Sequence, residues 1–181
     1  LGDGVTIPML REAFDRQMSL GDGVIRKLLR DFRLYMLVGG MPQAVNAYLE
    51  SNNLSIVDAV KREIIELYAD DFRKIDPTGK MTRMFYSIPG QLNKNASRYQ
   101  ISSVIEQGKQ DRVEELLQDM TDSQVVLFSR HANDPHVGLS LHEDRNRYKL
   151  FMNDTGLFIT LAFWDKDLTE NIIYQKLKLK N

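Results

Sequence analysis

Apolar residues recur at helical spacing through the first half of the chain. Between Gly23 and Gly40 they form one stripe, made of Ile25, Leu28, Leu29, Phe32, Tyr35 and Met36. Steps of three and four residues place such positions on one face of an α-helix, so the stripe predicts an amphipathic helix with a buried face. Gly39 and Gly40 are expected to end it, because glycine accepts the left-handed conformation common at helix ends. Pro42 then fits the first turn of another helix.

A second apolar stripe predicts the longest helix of the chain. Its members are Val57, Val60, Ile64, Leu67 and Tyr68. Ser55 is the predicted N-cap, with Asp58 three residues later as its capping-box partner. The helix should end at residues 76–79, whose sequence Asp-Pro-Thr-Gly is rich in turn formers, and this turn is the predicted domain boundary.

The second half of the chain combines short helices with strands. Apolar spacing predicts helices at 81–88 (kinked or ended near Pro89 and Gly90), at 101–107 and at 112–120. Strand patterns follow at 125–128, 148–152 and 157–163. Three helices followed by a strand pair around a polar loop is the element order of a winged helix-turn-helix. The predicted fold class is therefore mostly α with a small β part (α+β).

Composition narrows the class of protein. The chain has 181 residues, a formal net charge of −1 and no cysteine. The near-zero charge gives no global basic field for nucleic acid, and the absence of cysteine excludes disulfides and thiolate metal sites. No apolar run reaches the roughly 18 residues of a membrane span, so no membrane partner is expected. A cytoplasmic protein is predicted, and the leucine at position 1 indicates a piece of a longer chain.

Four segments together resemble one protein family. They are 35–45 (YMLVGGMPQAV), 71–74 (DFRK), 87–94 (SIPGQLNK) and 148–157 (YKLFMNDTGL). In this order and spacing they resemble the AAA-type bacterial and archaeal ATPases that carry an uncharacterised C-terminal domain. The resemblance spans essentially the whole chain, and it rests on the combination, since each segment alone is weak.

The resemblance implies both a domain order and a function. Family members run from a P-loop domain through a helical lid and a winged helix to a restriction-endonuclease-like domain. By that likeness, residues 1–75 are a helical lid, 76–163 a winged-helix domain and 164–181 a connector to a C-terminal domain. The sequence contains no Gly-x-x-x-x-Gly-Lys-Ser/Thr motif. The resemblance implies ATP and Mg²⁺ in the complete protein, whereas this piece, without the motif, should be non-catalytic and hold no cofactor.

The corner Gly39-Gly40-Met41-Pro42 is the sharpest candidate site. It resembles the Gly-x-Pro signature in the lids of related ATPases, where the proline packs near adenine. Helix punctuation alone explains the same residues, so both interpretations stay open. Arg26, Arg30 and Arg33 share a face opposite the apolar stripe. They are candidates for sensing a γ-phosphate, although a solvated, ion-paired face explains them more simply.

DNA contact is the weaker expectation for the second half. The predicted recognition helix, residues 111–122, carries five carboxylates against Arg112 alone, a net charge of −4. Such a charge is unfavourable between phosphates, so Arg130, Arg145 and Arg147 in the wing loop are the remaining candidates. The three histidines of that loop, His131, His136 and His142, match no metal-ligand spacing.

Three functions therefore stay open. The first is an ATPase piece that couples the nucleotide state of the missing P-loop domain to a winged-helix module, which would contact an unidentified protein. The alternatives are a winged-helix DNA-binding regulator and a protein-interaction module with no link to nucleotide.

Overall fold

A computed structural model describes residues 4–94, 98–105, 110–134, 138 and 142–165. Its elements in chain order are α1 (Thr6–Asp15), α2 (Asp22–Val38), α3 (Pro42–Ser51), α4 (Leu54–Ile75), α5 (Lys80–Asn93), a 3₁₀ helix (Ile101–Ser103), α6 (Gln110–Asp122), β1 (Val126–Ala132), β2 (Glu143–Met152) and α7 (Thr155–Ala162). The fold is mostly α-helical with a small antiparallel β part, which confirms the predicted fold class.

Two compact units make up the chain, residues 1–35 and residues 36–181. The predicted boundary near residue 76 does coincide with the turn between α4 and α5. The hydrophobic core nevertheless continues across that turn, because Phe72 of α4 packs edge-on against Phe85 of α5 with ring centroids 5.2 Å apart. The boundary between the two compact units therefore lies after Tyr35 and not at residue 76. The assignment of lid and winged-helix roles to 1–75 and 76–163 stays a prediction.

The core of the second unit joins α4, α5, α6, the two strands and α7. Its fully buried large side chains include Met84, Ile88, Leu116, Leu150 and Leu157. The apolar positions of α6 are all buried: Val113, Leu116, Leu117 and Met120. Burial of this kind stabilises a fold by roughly 1.5–3 kcal/mol for each large apolar side chain.

The two strands form an antiparallel hairpin. Val126 lies opposite Met152, and the register shifts between Arg130 and His131. Both strands extend further than their apolar patterns predicted. Arg130 consequently lies in β1, and Arg145 and Arg147 lie in β2, instead of in a polar wing loop. Cross-strand pairing needs only backbone groups, so polar residues continue the ladder where the apolar alternation stops.

The strand predicted at 157–163 is wrong, because residues 157–162 belong to helix α7 and Phe163 is its C-cap. Gly156, Leu157, Ile159, Thr160 and Leu161 are all buried. A helix that is buried on most of its surface needs no polar face, and its sequence then lacks the 3.6-residue periodicity that distinguishes helix from strand.

Three helix details also differ from the prediction. Asn53 is the N-cap of α4, accepting a hydrogen bond from the Ser55 amide at 2.8 Å, so the Ser55–Asp58 capping box is wrong. Helix α5 does not end near Pro89 and Gly90 but continues to Asn93 with Pro89 buried inside it, while the alternative of a kink stays a prediction. The helix predicted at 101–107 is a 3₁₀ turn at Ile101–Ser103, and residues 106–109 lie outside the described part.

Within the described residues, every helix is too short or too polar to span a lipid bilayer.

Candidate functional site

The corner between α2 and α3 has the geometry that its sequence predicted. Helix α2 ends at Val38, and Gly39 follows with a φ of +80°, which favours glycine. Met41 is extended, and Pro42 occupies the first turn of α3. Gly39 is buried, whereas Gly40 and Pro42 are exposed. The corner therefore has one face inside the protein and one face open to solvent.

The buried face of this corner is held by Asp154. One carboxylate oxygen, Oδ2, accepts a hydrogen bond from the Gly40 amide at 2.6 Å. The other, Oδ1, accepts from the Leu157 amide at 2.8 Å, which makes Asp154 the N-cap of α7. We call this arrangement of Gly39, Gly40, Asp154 and Gly156 the Asp154 clamp. It joins two of the four segments that carried the family resemblance.

The backbone approaches so closely on both sides of the clamp that positions 39 and 156 require glycine. A Cβ atom at Gly39 would overlap the Asp154 carboxylate. A Cβ atom at Gly156 would lie 2.5 Å from the Val38 carbonyl oxygen, closer than real Cβ contacts come. The first turn of α7 therefore packs backbone against backbone on the corner, and a larger residue at either position would force the two apart.

Lys61 of α4 lies beneath the clamp and is only 3% exposed. Its Nζ donates hydrogen bonds to the Leu37 carbonyl at 2.7 Å and to the Gly156 carbonyl at 3.3 Å. Burial lowers the pKa of Lys61 from 10.5 to about 8, against the opposing effect of the Asp58 and Asp154 carboxylates. One side chain thus links the end of α2 to the start of α7.

A second polar group ties α4 to the far end of α7. Asp58 accepts hydrogen bonds from Thr160 Oγ1 at 2.7 Å and from Arg62 Nε at 2.8 Å. Arg62 also donates to the Trp164 carbonyl at 2.8 Å, and its guanidinium carbon lies 5.0 Å from the centre of the Trp164 ring. Helix α7 is consequently fixed to α4 at both ends.

The sequence signals for Lys61 and Asp154 were weaker than the signal for the glycine–proline corner. Lys61 and Asp154 were not predicted as site residues. Lys61 occupies a core-facing position of α4, four residues after Val57 and three before Ile64, where a lysine is rarely found unpaired. Asp154 precedes an apolar run, as helix N-caps do. Neither signal identifies the partner, because the contacts join residues as far apart as 114 positions.

The exposed face of the corner offers a small mixed surface. Gly40 presents bare backbone and Pro42 presents a rigid apolar ring. Met41 is half-buried, with its sulfur 3.9 Å from the Tyr68 hydroxyl. A surface of this kind suits contact with a flat apolar group or with a neighbouring domain. The polar groups beneath it bond to one another and join the corner to α4 and α7.

The arginines predicted to sense phosphate lie on α2 in the first unit. Arg26 and Arg30 are exposed, and Arg33 is half-buried. Arg30 lies 3.5 Å from Asp31. The Nε atom of Arg33 is buried and finds no acceptor among the described residues. The positions of the three arginines do not test a contact with phosphate, so this role stays a prediction.

The arginines predicted to contact DNA lie on the hairpin. Arg130 pairs with Glu143 at 2.7 Å and stacks over the Phe128 ring. Arg147 is half-buried, and the side chain of Arg145 lies outside the described part. Across the described residues, no three His, Asp or Glu side chains gather where they would hold a metal ion. His136 lies outside those residues.

Comparison with known proteins identifies a family for this chain. The profile of a family described as a domain of unknown function, DUF8612, matches residues 29–168, and the chain belongs to that family. No curated protein matches significantly. No solved structure does either. The matched residues contain the corner, the Asp154 clamp and Lys61.

Proposed function

We propose that this DUF8612 member is a non-catalytic coupling module of a larger P-loop ATPase. The exposed face of the 39–42 corner closes over a nucleotide, ATP with Mg²⁺, held by a P-loop domain of the same cytoplasmic protein. The Asp154 clamp passes the resulting movement to α7 and the core behind it. One observation carries this proposal: the corner is open to solvent at Gly40 and Pro42 and hydrogen-bonded to the N-cap of α7 on its other side.

The physical requirement for such coupling is a contact that differs between two states. A ligand shifts a conformational equilibrium only through unequal interaction with the two conformations. The Gly40 amide belongs to the exposed backbone and also donates to Asp154 Oδ2 at 2.6 Å. A shift of this peptide therefore changes the capping of α7 directly. The corner and Asp154 lie in residues 35–45 and 148–157, two of the segments that resemble AAA-type ATPases. This resemblance also supports the proposal.

Replacement of Pro42 tests the proposal. In the complete gene product, Pro42→Ala removes the exposed ring, and we expect nucleotide affinity to fall by about threefold to tenfold, or roughly 1 kcal/mol. The measurement is titration with a fluorescent ATP analogue, with hydrolysis recorded in parallel. Pro77→Ala is the matched control, because Pro77 is an exposed proline in the turn between α4 and α5.

Two outcomes would contradict the proposal. One is equal affinity and hydrolysis for the wild type, Pro42→Ala and Pro77→Ala. The other is a gene that encodes no P-loop motif alongside these residues. The folding of each variant is checked by its thermal midpoint, since proline in a compatible turn stabilises by only about 0.4–1 kcal/mol.

DNA binding has less support from the same residues. Arg130 already pairs with Glu143, so a phosphate would have to displace a carboxylate. The DNA-regulator alternative requires salt-dependent binding to duplex DNA, which anisotropy titration at low salt detects.

A further inference from the structure

The first unit leaves most of its apolar surface uncovered. Across the described residues 4–35, Ala13 is the one buried side chain. Phe14 is 83% exposed and Met18 is 55% exposed. With Ile7, Leu10 and Ile25 they line an open groove of about 1020 Å³ beside α1 and the start of α2. Two helices that bury so little apolar surface need a further element to cover them.

The apolar stripe of α2 continues this open surface. The sequence predicted that the stripe is buried, yet Phe32 is 49% exposed and Tyr35 is 55% exposed, with their rings stacked 6.3 Å apart. Leu28 and Leu29 are half-buried. The prediction of helical periodicity is correct, and the prediction of a covered face is wrong for the described chain. We call this stripe, with the groove, the α2 face.

Three arginines form a row along α2, and two of them border the α2 face at its Leu29 edge. Arg26 and Arg33 are three and four residues from Leu29, and side chains at these spacings are neighbours on a helix. Arg30 lies further round the helix and is 3.5 Å from Asp31, so the predicted position opposite the stripe holds for Arg30 alone. Within the described residues, Arg26 and Arg33 have no carboxylate within 4.0 Å. These two arginines therefore present positive charge beside the α2 face that is not neutralised locally.

We propose that the α2 face binds an amphipathic helix of a partner protein, one that carries carboxylates along one flank. The partner's apolar residues at i, i+3, i+4 and i+7 would fill the groove and cover Phe32 and Tyr35, as in helix-in-groove recognition. Its carboxylates would lie against Arg26 and Arg33, and such complementarity fixes orientation. This inference uses neither the corner nor the clamp, and it assigns to a protein partner the arginines that were candidates for sensing a γ-phosphate.

The same observations favour a protein partner over two other classes. DNA phosphates would occupy the arginine row and leave the exposed aromatic residues without a role. A lipid surface binds helices whose polar face is rich in Lys and Arg, whereas the polar positions of α2 also include Asp22 and Asp31.

Two designed peptides of about 20 residues, long enough to form about five helical turns, test the proposal. Both carry leucines at i, i+3, i+4 and i+7, and one flank holds glutamates in the first peptide and lysines in the second. Fluorescence anisotropy with residues 1–181 should give at least about tenfold tighter binding of the glutamate peptide at low salt. Reversing the row with Arg26→Glu, Arg30→Glu and Arg33→Glu should invert that preference.

Phe32→Gln should weaken the glutamate peptide by about tenfold, because truncating a central aromatic contact costs more than 1 kcal/mol. Leu67→Gln on α4 is the matched control, since Leu67 is 63% exposed and lies outside the α2 face. Helical content and the thermal midpoint show that each variant folds.

Four results would overturn the proposal. One is equal binding of the two peptides, and another is unchanged binding by the Phe32 variant. A third is tighter binding of duplex DNA or anionic vesicles than of the glutamate peptide, lost when the arginine row is reversed. Self-association that Phe32→Gln abolishes would identify a second copy of the chain as the occupant.

Discussion

A single carboxylate joins two parts of the chain that are 114 residues apart. Asp154 accepts one hydrogen bond from the Gly40 amide and one from the Leu157 amide. Because the two acceptor oxygens are used separately, Asp154 is both a helix cap and a tertiary contact. An ordinary N-cap contributes about 1 kcal/mol, and a hydrogen bond to a charged group contributes about 1.5–3 kcal/mol more.

Asp154→Ala should therefore lower the free energy of unfolding by about 3 kcal/mol, through loss of the cap and of the bond to Gly40. Asn53→Ala is the matched control, because Asn53 caps α4 at an exposed position through the Ser55 amide alone. We expect a loss of about 1 kcal/mol there. Urea unfolding measures both values. Equal losses would show that the Asp154–Gly40 bond contributes nothing.

Lys61 gives the fold a pH dependence with a defined sign. Its pKa is about 8 in the folded chain and 10.5 ordinarily, so between these values the unfolded chain binds more protons. The free energy of unfolding should therefore rise with pH across this window, by at most about 1.4 kcal/mol per pH unit. Both hydrogen bonds survive deprotonation, because a neutral amine keeps two N–H donors.

Urea unfolding at several pH values between 8 and 9.5 tests this expectation. Lys61→Met should flatten the rise, because it removes the group that titrates in the window. Lys74→Met, at an exposed lysine paired with Asp71 at 2.8 Å, should retain the rise. Staying below pH 10 avoids ionisation of tyrosines in the unfolded chain. The same slope in all three proteins would contradict the assignment.

At the scale of elements, α7 is positioned by contact of its first turn with the corner after α2. Gly156→Ala should destabilise the fold by about 2 kcal/mol, because its Cβ would overlap the Val38 carbonyl. Gly90→Ala is the matched control in α5, where an added Cβ meets nothing within 4 Å. It should stabilise by about 0.5–1 kcal/mol, since alanine favours helix. Thermal unfolding that shows the same sign for both would refute the close contact.

Local signals in the sequence were sufficient for several elements. The glycines after Val38 and the proline at position 42 defined the corner, because helix ends are set by residues next to them. Contacts between residues far apart in the sequence had no such local signal. Residues 157–163 were mistaken for a strand because a buried helix lacks polar periodicity. The α2 stripe was predicted as buried because periodicity shows which face is apolar and does not show what covers it.

At the scale of the whole molecule, the proposed coupling follows one path of contacts. In it, a nucleotide at the exposed face of the corner would shift the Gly40 peptide, and Asp154 would transfer the shift to α7. Helix α7 in turn is bonded to α4 through Lys61 and through the pair of Asp58 and Thr160. Interior packing is dense, so a small displacement of α7 is passed to the neighbouring core.

Amide hydrogen exchange in the complete gene product tests this path most directly. The account predicts that a non-hydrolysable ATP analogue slows exchange at residues 39–42 and in α7 together. In Asp154→Ala the slowing should remain at residues 39–42 and disappear from α7. Exchange at residues 39–42 that does not change with nucleotide would contradict the account, as would slowing of α7 that persists without Asp154.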